Sequence, residues 1–499
     1  MKNHLKYGSL ILIAITFVLI TTVVMTNVGM AAPSTAGRPP TATPGGGGAA
    51  DITVSGTQWG VSSADIGGVE GDVRFNIADL QAAGITTYHL YGGMSRWEAV
   101  DDDGVYGSPD IPTIKANVNS INWAFWDNEM TSPAGGSDYL WAGSASQVAP
   151  VSARTILSSL QTAGIKAYIT LRPVDNNDTP AWASSINPPT TQADWNEWWE
   201  HVFATVYWMN VRNNYQVDNW EIHNEPDNPG QGWAGTEAQY FQLVQSTSDA
   251  INYVYATYLG NRVHQIWAPA AKTRSSWTND ALLQVGSFFN SVAIHVYDGN
   301  ITSAVELAHG YMNSAGYPNY PLDMSEWGTY KGGYQNASNG VKIVLNNLII
   351  GAGPGIDHVD SSHIFSFYNW NGFKGFSGGT FQGLVDINGT RLTSFYALQM
   401  ATKALAGSKP TYQTTVNNSS LRAITTRNSD GSINLLVTNT AAGSLALTAD
   451  LSALKTTSTG TEYQYDATHN DVVVGSPVLS NGRVTFTIPG TGAILIVFP

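Results

Sequence analysis

Two glutamates in this chain stand where a strand gives way to a loop. Trp220-Glu221-Ile222-His223-Asn224-Glu225-Pro226-Asp227-Asn228 follows Val217 as an apolar/polar alternation, the mark of a short strand. It stops at Pro226 and Pro229-Gly230, which cannot continue a sheet. Asn224 and Glu225 are therefore expected at the C-terminal lip of that strand. Leu322-Asp323-Met324-Ser325-Glu326-Trp327-Gly328 repeats the arrangement and leaves Glu326 at a second lip. A glycosidic bond breaks through an oxocarbenium-like state that needs a proton on the leaving oxygen and negative charge beside the anomeric carbon. Two carboxyl groups with different pKa values supply both. The competing reading of Glu225 and Glu326 is a pair of solvated loop carboxylates.

The elements that must position this pair come as a repeat. Strand-like runs at Ile52–Gly60, Ile85–Tyr91, Lys166–Leu171, Val217–Ile222, His264–Ala270, Ser291–Tyr297, Leu322–Glu326 and His363–Trp370 number eight. Helical periodicity separates them, at Asp72–Ala83, Ser152–Ala163, Ala193–Arg212, Gln239–Tyr258, Asn279–Phe288, Ser303–Ser314 and Ser338–Gly351, with a last helix at Thr393–Ala406. This α/β alternation predicts a (β/α)8 TIM barrel over 51–406, whose C-terminal mouth gathers the strand ends. The Gly/Ser/Asp-rich excursion over 99–150, with Asn122-Trp123-Ala124-Phe125-Trp126 inside it, is too long for a plain connection and reads as a functional loop over one face. From 407 to 499 the helical period gives way to short strands and Asn/Gly/Ser turns, which predicts an antiparallel β-sandwich, either a structural companion of the barrel or a sugar-binding module.

Composition narrows the partners. The 499 residues are 43% hydrophobic, enough for a large core, and only 12% charged. A net charge of −14 with few basic clusters argues against nucleic acid. The chain has no cysteine, hence no disulfide framework, thiol catalysis or Cys-ligated metal. Sixteen Trp and 23 Tyr either pack the core or offer flat platforms to sugar rings. At the start, Lys2, His4 and Lys6 precede an apolar run from Tyr7 to Met25 and then Gly29, Ala31 and Ala32. That is the order of a secretion signal over 1–32, with an uncleaved N-terminal anchor as the alternative, so the protein is expected outside the cytoplasm and away from the membrane apart from that anchor. A Pro/Thr/Gly-rich tether fills 33–50.

With Asn-Glu ending the fourth strand and a second Glu ending the seventh, residues 52–406 resemble the clan A glycoside hydrolases. Within the clan, Trp220–Asn228 is similar to family 39 more than to families 5 or 30, Gly164–Pro173 is similar in style, and Gly383–Arg391 with Tyr396–Gln399 resembles the end of such barrels. The resemblance implies retaining hydrolysis of β-glycosidic bonds in a polysaccharide or oligosaccharide, a xyloside first. Glu225 would be general acid and base with a raised pKa, and Glu326 the nucleophile, their carboxyl groups about 5–5.5 Å apart. Asn224 would bind the sugar 2-hydroxyl. His295 and Tyr297 share one side of their strand, and a tyrosine there would hold the nucleophile ionised; a satisfied buried pair is the other reading. Arg96 would lie near the nucleophile or form a surface ion pair, and Trp370 would lie under the reacting sugar or pack in the core. His223 is read as structural. No metal or organic cofactor is needed. Asp357-His358, Asp360 and His363 have metal-like types without a metal-like spacing. Asp101-Asp102-Asp103-Gly104 offers calcium ligands without an EF-hand pattern and reads as a solvated turn. Two rival functions use the same residues: a transglycosidase, and a carbohydrate-binding surface protein without catalysis.

Overall fold

The computed structural model describes residues 50–71, 74–98, 100–132, 151–173, 187–229, 233–272, 275–298, 301–329, 333–369, 383–386, 388–454 and 459–499. The first strand, β1 (Ala50–Val61), is followed by eight that close into a parallel barrel: β2 (Asp65–Glu70), β3 (Thr87–Tyr91), β4 (Lys166–Leu171), β5 (Asn219–Ile222), β6 (Gln265–Ala271), β7 (Ser291–Tyr297), β8 (Leu322–Gly328) and β9 (Ser361–Ile364). Helices between them are started by side-chain caps that the sequence encodes locally. Thr191 with Asp194 and Thr236 with Gln239 form capping boxes on the helices Gln192–Tyr207 and Glu237–Tyr258. Ser152 caps Ala153–Ala163, which Gly164 ends in the left-handed conformation.

The barrel has the expected eight strands, but its first is not Ile52–Gly60. That segment lies in β1 and pairs antiparallel with Pro410–Val416 in the second domain. The barrel instead begins at Asp65-Ile66-Gly67-Gly68-Val69-Glu70, where two glycines hide the strand pattern. The reason is steric: a Cβ on Gly68 would overlap the Ser362 carbonyl oxygen, the Thr87 hydroxyl and the His363 ring. Gly68→Ala should therefore destabilise the barrel by about 1–3 kcal/mol. A calorimetric Tm within about 1 °C of wild type would contradict this close packing.

The excursion after β3 also differs from expectation. Its described part, 100–132, carries helices Ile111–Ala116 and Trp123–Thr131 where a loop over one face was expected. Trp126 is fully buried against His201, and Asp127 accepts from Trp208 Nε1 at 2.8 Å and Arg212 Nη2 at 2.7 Å. Residues 133–150 and 370–382 lie outside the described residues.

The second domain joins β1 to β10 (Pro410–Val416), β11 (Leu421–Arg427), β12 (Ile433–Asn439), β13 (Leu445–Asp450), β14 (Thr461–Tyr465), β15 (Asn470–Gly475), β16 (Arg483–Ile488) and β17 (Gly492–Phe498) in one curled sheet. Every pairing is antiparallel except β1 with β13. One face encloses its own core of Leu435, Val437, Phe486 and Ile496 among others. The other joins the barrel's apolar cluster through Ile424, Leu436, Tyr465 and Leu495. Thr426 Oγ1 donates to the Ala404 carbonyl at 2.7 Å and Thr438 Oγ1 to Asn346 Oδ1 at 2.6 Å, so the docking face is satisfied as well as apolar.

Candidate active site

The barrel lumen is lined by polar side chains in layers, because inward positions recur every second residue along each strand. Lowest are Thr87, Tyr168, Asp323 and His363, with His363 Nε2 2.9 Å from Thr87 Oγ1 and Nδ1 3.1 Å from Asp323. Above them Glu221 accepts from Thr170 Oγ1 at 2.8 Å and Tyr168 at 3.1 Å, and His89 Nε2 lies 3.6 Å from it. All of these are buried. Burial keeps His89 well below the usual imidazole range, reinforced by His363 and His295, and raises Glu221.

Glu225, Glu326, His295 and Asn224 form that top layer, each buried to within a few per cent. Glu225 sits just past β5 in the left-handed region, φ +41°, as does His223 at φ +66°. The strain is held by the Glu225 N–H donating to the Ala270 carbonyl at 3.1 Å and by His223 Nδ1 accepting from the Asn224 N–H at 2.8 Å. The His223 ring lies 5.3 Å from that of Trp233, and burial pushes its pKa down to about 3. Glu326 is aimed by a β-bulge. Ile294 pairs with Met324 but His295 pairs with Glu326, so Ser325 is the extra residue and Glu326 comes level with His295.

Geometry brings the two glutamates together. His295 Nδ1 lies 3.0 Å from Glu225 Oε1 and 3.3 Å from Glu326 Oε2, and one oxygen of each carboxyl falls within 4.8 Å of the other. Tyr297 donates to Glu326 Oε2 at 2.6 Å, and Tyr91 donates to Glu326 Oε1 while lying 3.4 Å from Asn224 Oδ1. Asn228 Nδ2 donates to Glu225 Oε2 at 2.6 Å.

The electrostatics depart from expectation. Burial tends to raise Glu225, but His295, Asn228 and Lys272 outweigh it and hold the carboxyl below the usual range rather than above it. Burial pushes Glu326 up to about 8, against the pull of the two phenol donors. In the free protein the proton of the pair is thus biased toward Glu326.

The remaining expected residues divide. Arg96 is buried, which removes the surface ion pair, and its Nη1 donates to the Tyr91 carbonyl at 2.6 Å, so it supports the tyrosine that touches Glu326. Trp370 lies outside the described residues. Sequence reading missed Tyr91 and Arg172, whose guanidinium lies 4.5 Å from the Tyr91 ring centroid. Both had a local sign: Tyr91 precedes Gly92-Gly93 and Arg172 precedes Pro173, the same strand-end punctuation that marks Glu225. Asp357, His358, Asp360 and His363 do not converge, since His363 turns into the lumen toward Asp323 while His358 Nε2 is 3.8 Å from Asp360.

No protein-family model and no curated protein matches the chain. Solved structures do match its fold, among them glycoside hydrolases of families 39 and 30. A glucosidase from Croceicoccus marinus aligns with TM-score 0.64 at 13% identity, over 90% of this chain and 99% of its own. A GH39 β-xylosidase from Caulobacter crescentus aligns with TM-score 0.62 at 15%, and a GH30 endoxylanase from Clostridium papyrosolvens C71 with 0.58 at 14%, each over 90% of this chain and 99% of the other. Coverage of nearly the whole of each neighbour extends the likeness to the barrel and the second sheet together.

Proposed function

We propose that the protein is a retaining β-glycoside hydrolase working by double displacement, with Glu326 as nucleophile and Glu225 as general acid and then base. The observation that carries this reading is the approach of the two carboxyl groups to within 4.8 Å, oxygen to oxygen, across His295. That gap suits direct attack on the anomeric carbon and leaves little room for the water an inverting enzyme needs. In this reading Asn224 binds the sugar 2-hydroxyl and Tyr91 and Tyr297 stabilise the ionised nucleophile, supported by the contacts of both tyrosines with Glu326 and the 3.4 Å between Tyr91 and Asn224 Oδ1. In this reading a bound sugar displaces the apo contacts, and the proton passes from the Glu326 side to Glu225 before the leaving oxygen departs. The names of the structural neighbours favour a β-xyloside first and a β-glucoside next. The N-terminal segment supports export, which N-terminal sequencing of secreted material tests: an intact Met1 would contradict cleavage.

A panel of aryl β-glycosides and insoluble polysaccharides, with the anomer of the first product followed by NMR, tests the reaction. Release of the β-anomer is expected; the α-anomer, or no cleavage of any member, overturns the proposal.

The paired carboxyls also set a pH dependence. The pair holds one proton from below the ordinary carboxylate range up to about 8, so kcat/KM should be bell-shaped with its alkaline limb near pH 8. Tyr297 donates to the ionised form of Glu326, so Tyr297→Phe disfavours that form and raises its pKa. The alkaline limb should then move upward by about one unit while kcat/KM falls. A downward shift would mean that Tyr297 does not act on Glu326.

A further inference from the structure

The two carboxyl groups of the proposed reaction have an imidazole nitrogen standing between them. His295 Nδ1 is 3.0 Å from Glu225 Oε1 and 3.3 Å from Glu326 Oε2, and one ligating atom from each of the three residues lies within 4.8 Å of the others. All three side chains are buried. Each comes from a different strand: Glu225 just past β5, His295 in β7, and Glu326 in β8, brought level with His295 by the Ser325 bulge. Among the described residues the other such trio is Asp101, Asp102 and Asp103, which offers no nitrogen and is spent on its own turn. There Asp101 Oδ1 accepts from the N–H groups of Asp103 and Gly104, and Asp103 Oδ1 from that of Val105.

The spacing around His295 suits a small ion. Around a tetrahedral ion whose bonds to nitrogen and oxygen are about 2.0–2.2 Å, neighbouring ligand atoms stand about 3.3–3.6 Å apart. The contacts of 3.0 and 3.3 Å come within about 0.3 Å of that range. The oxygen-to-oxygen side of the triangle, under 4.8 Å, is the one an ion would draw in. The remaining contacts hold the ligands without taking the place between them. Asn228 Nδ2 donates to the far oxygen of Glu225, Oε2, and Tyr91 to the far oxygen of Glu326, Oε1. Tyr297 shares Glu326 Oε2 with His295, and a carboxylate oxygen has a lone pair for each. Outer donors of this kind fix ligating carboxylates in place. Lys272 acts on Glu225 and Arg172 lies against the Tyr91 ring, so an ion is held here by its bonds rather than by a strongly negative field. That describes a reversible occupant, not a permanent one.

We propose that Glu225, His295 and Glu326 together bind one divalent ion of the Zn2+ class, with water in the fourth position, and that this ion is a reversible inhibitor of the site. The mixed nitrogen and oxygen set selects the class, because imidazole suits Zn2+, Cu2+ and Ni2+, whereas Ca2+ and Mg2+ take oxygen shells. An ion bound there ties up both carboxyl groups, so the metal and a sugar exclude each other. Binding of the ion rests on the geometry of the three side chains; the inhibition rests on the glycosidase reading.

The test uses the full chain, stripped with EDTA and gel-filtered, then titrated calorimetrically with ZnCl2, CaCl2 or MgCl2, and with CoCl2 as a visible probe. One Zn2+ per chain is expected, with Ca2+ and Mg2+ giving no binding heat and Co2+ giving the strong d–d bands of a four- or five-coordinate ion. His295→Ala, Glu225→Gln and Glu326→Gln should each weaken Zn2+ by about 10-fold or more, and those that keep the wild-type circular dichroism decide. On an aryl glycoside that the chain turns over, Zn2+ should raise KM and leave kcat unchanged, and EDTA should restore the rate. No Zn2+ binding, Ca2+ bound as tightly as Zn2+, wild-type Zn2+ affinity in the folded variants (an adventitious ion only), or a fall in kcat at constant KM would each overturn the proposal. The two readings fail separately. A chain that cleaves no glycoside yet loses Zn2+ in the variants keeps the metal site and removes the glycosidase, whereas an active chain indifferent to Zn2+ does the reverse.

Discussion

Glu326→Ala should leave no more than about one part in 10³ to 10⁴ of wild-type turnover on an unactivated β-glycoside, a loss of about 4–5 kcal/mol of transition-state stabilisation. Removing the carboxylate removes the group that would bond to the anomeric carbon, and the space it leaves admits a small anion. Azide should then restore turnover of an activated aryl glycoside and give the glycosyl azide of inverted configuration. The environment of Glu326 makes the loss hard to evade. Tyr91, Tyr297 and His295 all converge on that one carboxyl, and His295 reaches Glu225 as well. Near wild-type turnover in this variant would remove Glu326 from the reaction.

The second large effect belongs to Glu225, and its size should depend on the leaving group. Glu225→Ala should lower kcat/KM by about 10²–10⁴ on a substrate whose leaving oxygen needs a proton. On a dinitrophenyl glycoside, which leaves without one, the first step should be nearly spared and the slow step should become release of the glycosyl-enzyme. Azide should accelerate that step and give the product of retained configuration, opposite to that from Glu326→Ala. An equal loss on both substrates would argue that Glu225 positions rather than protonates. The left-handed backbone at Glu225 and the Asn228 and His295 contacts hold its carboxyl in one place, which general acid catalysis requires.

These two experiments bear differently on the pair's electrostatics. In the free protein burial favours the proton on Glu326, the reverse of the working assignment. A sugar ring entering between the carboxyls would take over part of the role of His295 and separate the two acids. The pH profile of kcat/KM reports the pair before that happens, and the profile of kcat reports it afterwards. A difference between the two alkaline limbs would measure the redistribution directly.

The local part of this protein was written plainly in its residues. Pro226 after Glu225 and Gly328 after Trp327 end their strands wherever those strands lie, so Asn224, Glu225 and Glu326 could be assigned to strand ends without knowing what they face. The eight-fold repeat was legible for the same reason, since helices such as Ala153–Ala163, Gln192–Tyr207 and Glu237–Tyr258 carry their own cap and period. What escaped depended on neighbours far away in the chain. Gly67-Gly68 looks like a break until Ser362 and Thr87 are seen to leave no room for a side chain, and β1 looks like a barrel strand until Pro410–Val416 claims it. Tyr91 becomes part of the site only because β3 and β8 meet across the lumen, and Ser325 aims Glu326 only through the register with β7. The charge states were decided the same way: sequence supplied the acids, whereas burial and the reach of His295 set which carboxyl holds the proton, because a pKa answers to the surrounding medium and charges rather than to the adjacent residues.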